Sequence, residues 1–123
     1  MNRYFHDRIQ SLRFAFSGLR TLFRETPNAR IQLVMALLAV ALGFLLHIST
    51  TEWLAVCIVI GMVPALEAMN TAIERLSDYA SQHQKHPIIK KVKDVAAAGV
   101  LIASIAALAV GILIFLPKLI ALM

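Results

Sequence analysis

Residues 95–116 read VAAAGVLIASIAALAVGILIFL, 22 positions without one charged side chain. As a helix this segment is about 33 Å long, close to the roughly 30 Å of hydrocarbon in a bilayer. A charge-free run of this length is a clear transmembrane candidate, so the segment is expected to cross a membrane. Two further runs follow the same logic. Ile31–Ile48 is apolar over about 18 residues, within the range for a span. Trp53–Leu66 is apolar over only 14, so its span must continue through Ala68, Met69, Ala72, Ile73 and Leu76. Composition agrees: 59% of residues are hydrophobic, 15% are charged, and the mean hydropathy is +0.76.

The net charge of +5 does not indicate a nucleic-acid partner, because the basic residues flank the apolar runs. Six arginines lie in residues 1–30, and Arg75, Lys85, Lys90, Lys91 and Lys93 lie between the second and third runs. If both regions are cytoplasmic, eleven of the twelve Lys and Arg are inside, and only Lys118 is outside. The amino terminus is then inside. Phe5, Ile9, Leu12, Phe16, Leu19 and Phe23 recur at spacings of 4, 3, 4, 3 and 4, one face of a helix, with arginines elsewhere around it. Such a helix can lie in the membrane interface or pack on the rest of the protein. Pro27 disfavours helix at the residue before it and ends this element. The single cysteine, Cys57, forms no intrachain disulfide and is expected to be a buried small apolar residue. On the third span, Gly99, Ala103, Ala107 and Gly111 recur every four residues, a spacing that lets helices approach closely in lipid.

These features predict an all-α membrane protein of one domain, residues 1–123. Residues 1–28 form an amphipathic surface helix and turn, residues 31–48, 53–76 and 95–116 are transmembrane helices, and residues 77–94 are a cytoplasmic loop. Three thin spans enclose a polar site poorly, which favours an oligomer.

The stretch ALEAMNTAIERLSD, residues 65–78, puts acids where the second span should finish. At about 100° per residue, Asn70, Thr71, Glu74 and Asp78 all lie within about 60° of Glu67 on the helical wheel. An ionised side chain at the bilayer centre costs about 2.5–3.5 kcal/mol on insertion scales, so this stripe requires a partner. Lys90, Lys93 and Asp94 form a second polar set just before the third span. In an antiparallel helix pair the two sets converge at the cytoplasmic surface. Carboxylates suit Mg²⁺ and lysines suit phosphate, a combination that phosphoryl transfer uses. A structural ion-pair network and a cation route in a small transporter are the alternatives that spacing alone leaves open.

LEAMNTAIERLSD resembles the E-x-x-N-[ST]-A-I-E-x-x-x-D signature of the prokaryotic diacylglycerol kinase family, and VKDVAAAGVLI resembles its A-K-D-x-x-x-A-A-V segment. The chain has no GxxxxGK[ST] phosphate loop, as expected for that family. HPIIKKVKDVAAAG and ILIFLPKL resemble its undecaprenol kinase branch. The resemblance implies an ATP- and Mg²⁺-dependent lipid kinase, a homotrimer in the bacterial cytoplasmic (inner) membrane with active sites shared between subunits. Its acceptor is a lipid alcohol, undecaprenol first and diacylglycerol as the alternative.

Carried over by position, the resemblance makes Glu67 the general base and Asn70 the residue that orients groups beside it. Glu74 becomes a metal-binding carboxylate. Lys93 contacts nucleotide phosphates, Asp94 and Asp78 support the nucleotide end, and His86 lies where the family's loop nears the nucleotide. One departure stands out: counting back two positions from Asn28, where the family has a second metal-binding glutamate, this chain has Thr26. Either Glu25, one residue earlier, reaches the metal after a local shift at Pro27, or Glu74 and water carry more of the coordination.

Overall fold

The computed structural model describes residues 2–123, all in four helices and short turns. They are α1 (Asn2–Glu25), α2 (Pro27–Leu45), α3 (Thr50–Ala80) and α4 (Pro87–Leu122). Helices α2, α3 and α4 are each long and apolar enough to cross a membrane.

Each boundary has a local cause. Thr26 alone separates α1 from α2. Its N–H donates to Leu22 O at 3.0 Å, and Pro27 then starts the next helix, where its missing N–H costs nothing. The turn after α2 passes through His47 in the left-handed region, φ 51°. Ile48, expected inside the first span, lies in this turn and is buried in the core. Ser49 then caps α3 in a reciprocal pair: its hydroxyl accepts from Glu52 N–H at 3.2 Å, and Glu52 Oε1 accepts from Ser49 N–H at 2.8 Å. Pro64 and Pro117 sit inside α3 and α4 without ending them, as membrane helices allow.

The segment 77–94 differs most from expectation. Only residues 81–86 are non-helical, because α3 runs on to Ala80 and α4 starts at Pro87. The polar composition that suggested a loop reflects helix ends projecting beyond the hydrocarbon. At about 1.5 Å per residue, α3 is about 46 Å long and α4 about 54 Å. His86 caps α4, its Nδ1 accepting from Ile88 N–H at 3.2 Å, with Pro87 at the first helical position.

Packing is uneven. Helices α3 and α4 form an extended antiparallel pair, α2 leans on α3, and α2 hardly meets α4. Of the small-residue stripe on α4, Ala103 is fully buried. Cys57, expected to be buried, is exposed, because its side of α3 faces away from the other helices. The core gathers near the α2–α3 turn around Ile48, Val56, Ile114 and Phe115, with Trp53 against it. Lys118 closes the same end on Glu52, at 3.3 Å. Most large apolar side chains on the spans remain exposed, as suits helices solvated by lipid or by other subunits. All but one of α1's side chains escape burial, Leu22 being the exception.

Trp53 lies across Gly43 and tilts against Phe44, with ring centroids 4.9 Å apart. A Cβ at position 43 meets Trp53 Cη2 at 2.6 Å and Cζ2 at 2.8 Å. Gly43→Ala is therefore expected to destabilise the protein by about 1–3 kcal/mol through overpacking, despite alanine's better helix propensity. A fall in melting temperature in detergent micelles checks this, and no change refutes the close packing.

Candidate active site

Glu67 is 2% exposed and is the one buried ionisable residue among the described residues. It sits in the middle of α3 and forms no ion pair among the described residues. Its carboxylate belongs to a cleft of about 350 Å³ lined by Asn28 and Gln32 from α2, Glu67 and Asn70 from α3, and the stretch of α4 ending at Ser104. The cleft exists because α2 and α4 both pack on α3 but stay apart from each other. Asn70 follows Glu67 by three residues and so shares its face.

Two further atoms in this cleft are chemically incomplete. Asn70 Oδ1 and Gln32 Oε1 are buried and have no hydrogen-bond partner among the described residues. An unsatisfied buried acceptor costs about 1–3 kcal/mol. Two of them beside a buried carboxylate make a site that lacks donors, and a hydroxyl, a hydrated cation or bound water can supply them.

The other expected residues form a separate group near the helix ends. Lys93 on α4 pairs with Asp78 on α3. The ammonium of Lys93 holds the Asp78 carboxyl below the usual carboxylate range. Lys90 pairs with Asp94 at 2.6 Å, one turn apart on α4. His86 sits at the start of the same helix as its cap. From Glu67 to Asp78 is eleven residues, about 16 Å along α3. Glu74 lies between them and is exposed. Of the expected residues, Glu67 and Asn70 thus line the cleft and Lys93 pairs with Asp78 across α3 and α4, while Glu74, Asp94 and His86 are exposed.

Glu25 is not in the cleft. It pairs with Arg75 at 3.1 Å, with both side chains about half exposed, and ties the end of α1 to α3. Among the described residues no three His, Cys, Asp or Glu side chains converge on one point. The donors present are hard oxygens: the Glu67 carboxylate, the orphaned Asn70 carbonyl, and Glu74 further along. These fit Mg²⁺, which keeps several waters and uses one or two carboxylates together with substrate phosphates.

Gln32 was absent from the expected site. It is the single side chain in residues 31–46 that can form a hydrogen bond, and that isolation was a usable sequence signal. Ser104 stands alone in the same way within residues 95–116. What could not be read from the sequence is that both face Glu67.

Beyond the cleft lies a larger apolar groove of about 630 Å³ between α2 and α4, floored by Val56, Ile60 and Val63 of α3. Ile31, Gln32 and Ser104 line both spaces, so cleft and groove are continuous. Three helices able to cross a membrane, with a buried carboxylate where a polar cleft joins an apolar groove, make up a multi-pass membrane protein with a polar site within its spans. The chain belongs to the prokaryotic diacylglycerol kinase family: residues 13–115 match the family described as Prokaryotic diacylglycerol kinase. It is 34% identical over 119 residues to the undecaprenol kinase of Bacillus subtilis, covering 97% of this chain and 93% of that protein. It is also 34% identical over 113 residues to the diacylglycerol kinase of Synechocystis sp., covering 92% of this chain and 65% of that protein. The protein is a lipid kinase, a phosphotransferase, and membership of a kinase family implies use of ATP.

Proposed function

We propose that this protein transfers the γ-phosphoryl group of ATP to the primary hydroxyl of a membrane lipid alcohol, with undecaprenol as the leading acceptor and undecaprenyl phosphate as product. The observation that carries this reading is Glu67, buried without a cation and standing where a polar cleft opens into an apolar groove. The lipid tail occupies the groove and its hydroxyl reaches Glu67. Undecaprenol leads because the Bacillus subtilis relative matches along nearly all of both chains. Diacylglycerol is the second candidate, supported by the Synechocystis relative.

Glu67 takes the hydroxyl proton as the alcohol oxygen attacks the γ-phosphorus, and the bond to the leaving ADP oxygen breaks. Asn70 orients groups beside Glu67. Lys93 meets the phosphates, with Asp78 holding its ammonium in place and Asp94 and His86 lining the same end. Mg²⁺, when bound, neutralises phosphate oxygens. Glu74 is its primary protein ligand, and Glu25 contributes only by leaving Arg75. The active site faces the cytoplasmic side of the inner membrane, α1 lies in the interface with its arginines toward lipid headgroups, and three copies supply the walls one chain lacks.

Purified protein in mixed micelles is expected to label a lipid alcohol from γ-labelled ATP when undecaprenol and diacylglycerol are assayed side by side. Absence of label with both, from folded protein, ends the reading. Glu74→Gln is expected to raise the Mg²⁺ concentration for half-maximal rate about tenfold or more, by removing one anionic ligand. An unchanged Mg²⁺ dependence assigns the metal to other residues.

A further inference from the structure

Gln32 has no part in the proposed transfer step, yet it stands where the polar cleft joins the apolar groove. Its amide oxygen is buried without a partner, it lines the polar cleft with Glu67, and it lines the apolar groove as well. Of the polar residues in the cleft, only Gln32 and Ser104 have this double placement. Ser104 can satisfy its hydroxyl on the carbonyl one turn back in its own helix. On α2 the residues from Leu33 to Leu46 are apolar, and Asn28, one turn before Gln32, lines the same cleft, yet the Gln32 amide oxygen accepts from none of the described residues.

We propose that Gln32 is a positioning residue for the acceptor alcohol. Its amide oxygen accepts a hydrogen bond from the primary hydroxyl as the lipid enters along the groove. This inference rests on the lipid-kinase reading above and adds how the acceptor is held before reaction. A primary alcohol has one hydroxyl hydrogen. In the arriving complex that hydrogen points to Gln32, and rotation about the C–O bond then presents it to Glu67. The proton ends on Glu67 as the new P–O bond forms, and Gln32 neither gains nor loses a proton. The geometry also accounts for an amide within an otherwise apolar helix segment, since a lipid hydroxyl supplies the donor that this oxygen lacks among the described residues.

This role has a signature that a structural role lacks. A structural amide stabilises the fold, so its removal lowers the melting temperature. An amide waiting for a ligand destabilises the lipid-free protein, so its replacement by a hydrocarbon raises it. Wild type, Gln32→Leu and Gln32→Glu are to be compared in detergent micelles, with a polyprenol and with diacylglycerol. Gln32→Leu is expected to raise KM for either lipid about tenfold or more, the usual penalty for losing a specific hydrogen bond in a binding site. Its KM for ATP is expected to stay within about twofold, because the lysine end is remote. It should melt no lower than wild type without lipid, and adding lipid should raise its melting temperature by less. Gln32→Glu keeps an acceptor oxygen and should retain most of the lipid affinity.

An unchanged lipid KM in Gln32→Leu overturns the proposal. So does an equal rise in the KM for ATP, a lower melting temperature, failure to fold, or a Gln32→Glu variant as impaired as Gln32→Leu. Wild type that is stabilised by the lipids but transfers no phosphate refutes the kinase reading instead, and the lipid-induced melting shifts still decide the role of Gln32.

Discussion

Glu67→Gln is expected to lower turnover by about 10²–10⁴-fold, the contribution typical of a positioned general base. The substitution is nearly isosteric and keeps a hydrogen-bonding group in the cleft, but it cannot take a proton from an alcohol. Lipid and nucleotide affinities are expected to change little, because the groove proposed for the tail is apolar and Lys93, the proposed phosphate contact, lies several helical turns away. The energetics point the same way. A buried carboxylate without a cation weakens the fold, so the neutral variant should melt at the same temperature or higher. Lost activity with retained stability is the pattern of a catalytic residue. Initial rates at saturating ATP and lipid, with a thermal melt on the same sample, measure both. A variant with wild-type turnover removes Glu67 as the base.

Lys93→Met is the second large effect, with an expected loss of about 10²–10³-fold in kcat/KM for ATP, the range seen when one donor to developing charge is removed. Methionine keeps the length and apolar stem of lysine and loses the ammonium. The complication is that Lys93 also bridges α4 to Asp78 on α3. Asp78→Asn separates the two roles. It removes the charge pairing but leaves the lysine free to meet phosphate, so it should cost far less, about tenfold or under, by loosening the ammonium's position. If the two variants are equally impaired, the lysine acts through the helix–helix bridge and not through the nucleotide. Exposure of this pair makes it weak as a stabilising contact, so neither variant should unfold the protein.

The residues that carry these predictions differ in how far they were legible beforehand. Glu67, Asn70, Glu74 and Asp78 could be placed on one face of one helix from spacing alone, since a single helix repeats every 3.6 residues. The convergence of that stripe with the lysine set of α4 followed from antiparallel pairing, and the Lys93–Asp78 contact is in line with it. Their depth did not follow. Periodicity treats Glu67 and Glu74 alike, whereas packing by α2 and α4 buries the first and leaves the second exposed. Glu25 illustrates the same limit, because its tie to Arg75 joins residues fifty positions apart. His86 in the polar connection is used as a helix cap, a role set by the proline after it as much as by its own chemistry.

From the sequence by itself came three membrane-crossing helices behind an arginine-bearing amino-terminal helix, and one acidic stripe at the end of the second crossing. Each is a local property: hydrocarbon thickness sets the length of an apolar run, and the helical repeat sets which side chains share a face. Only the tertiary structure decided that Gln32 and Ser104 meet Glu67, that a polar cleft runs into an apolar groove, and that Arg75 takes Glu25. Those relations depend on the rotation and offset of one helix against another. That register is fixed by packing contacts such as Trp53 on Gly43, far from the site, and Ala103 beside it in the α4 seam, which no local periodicity encodes.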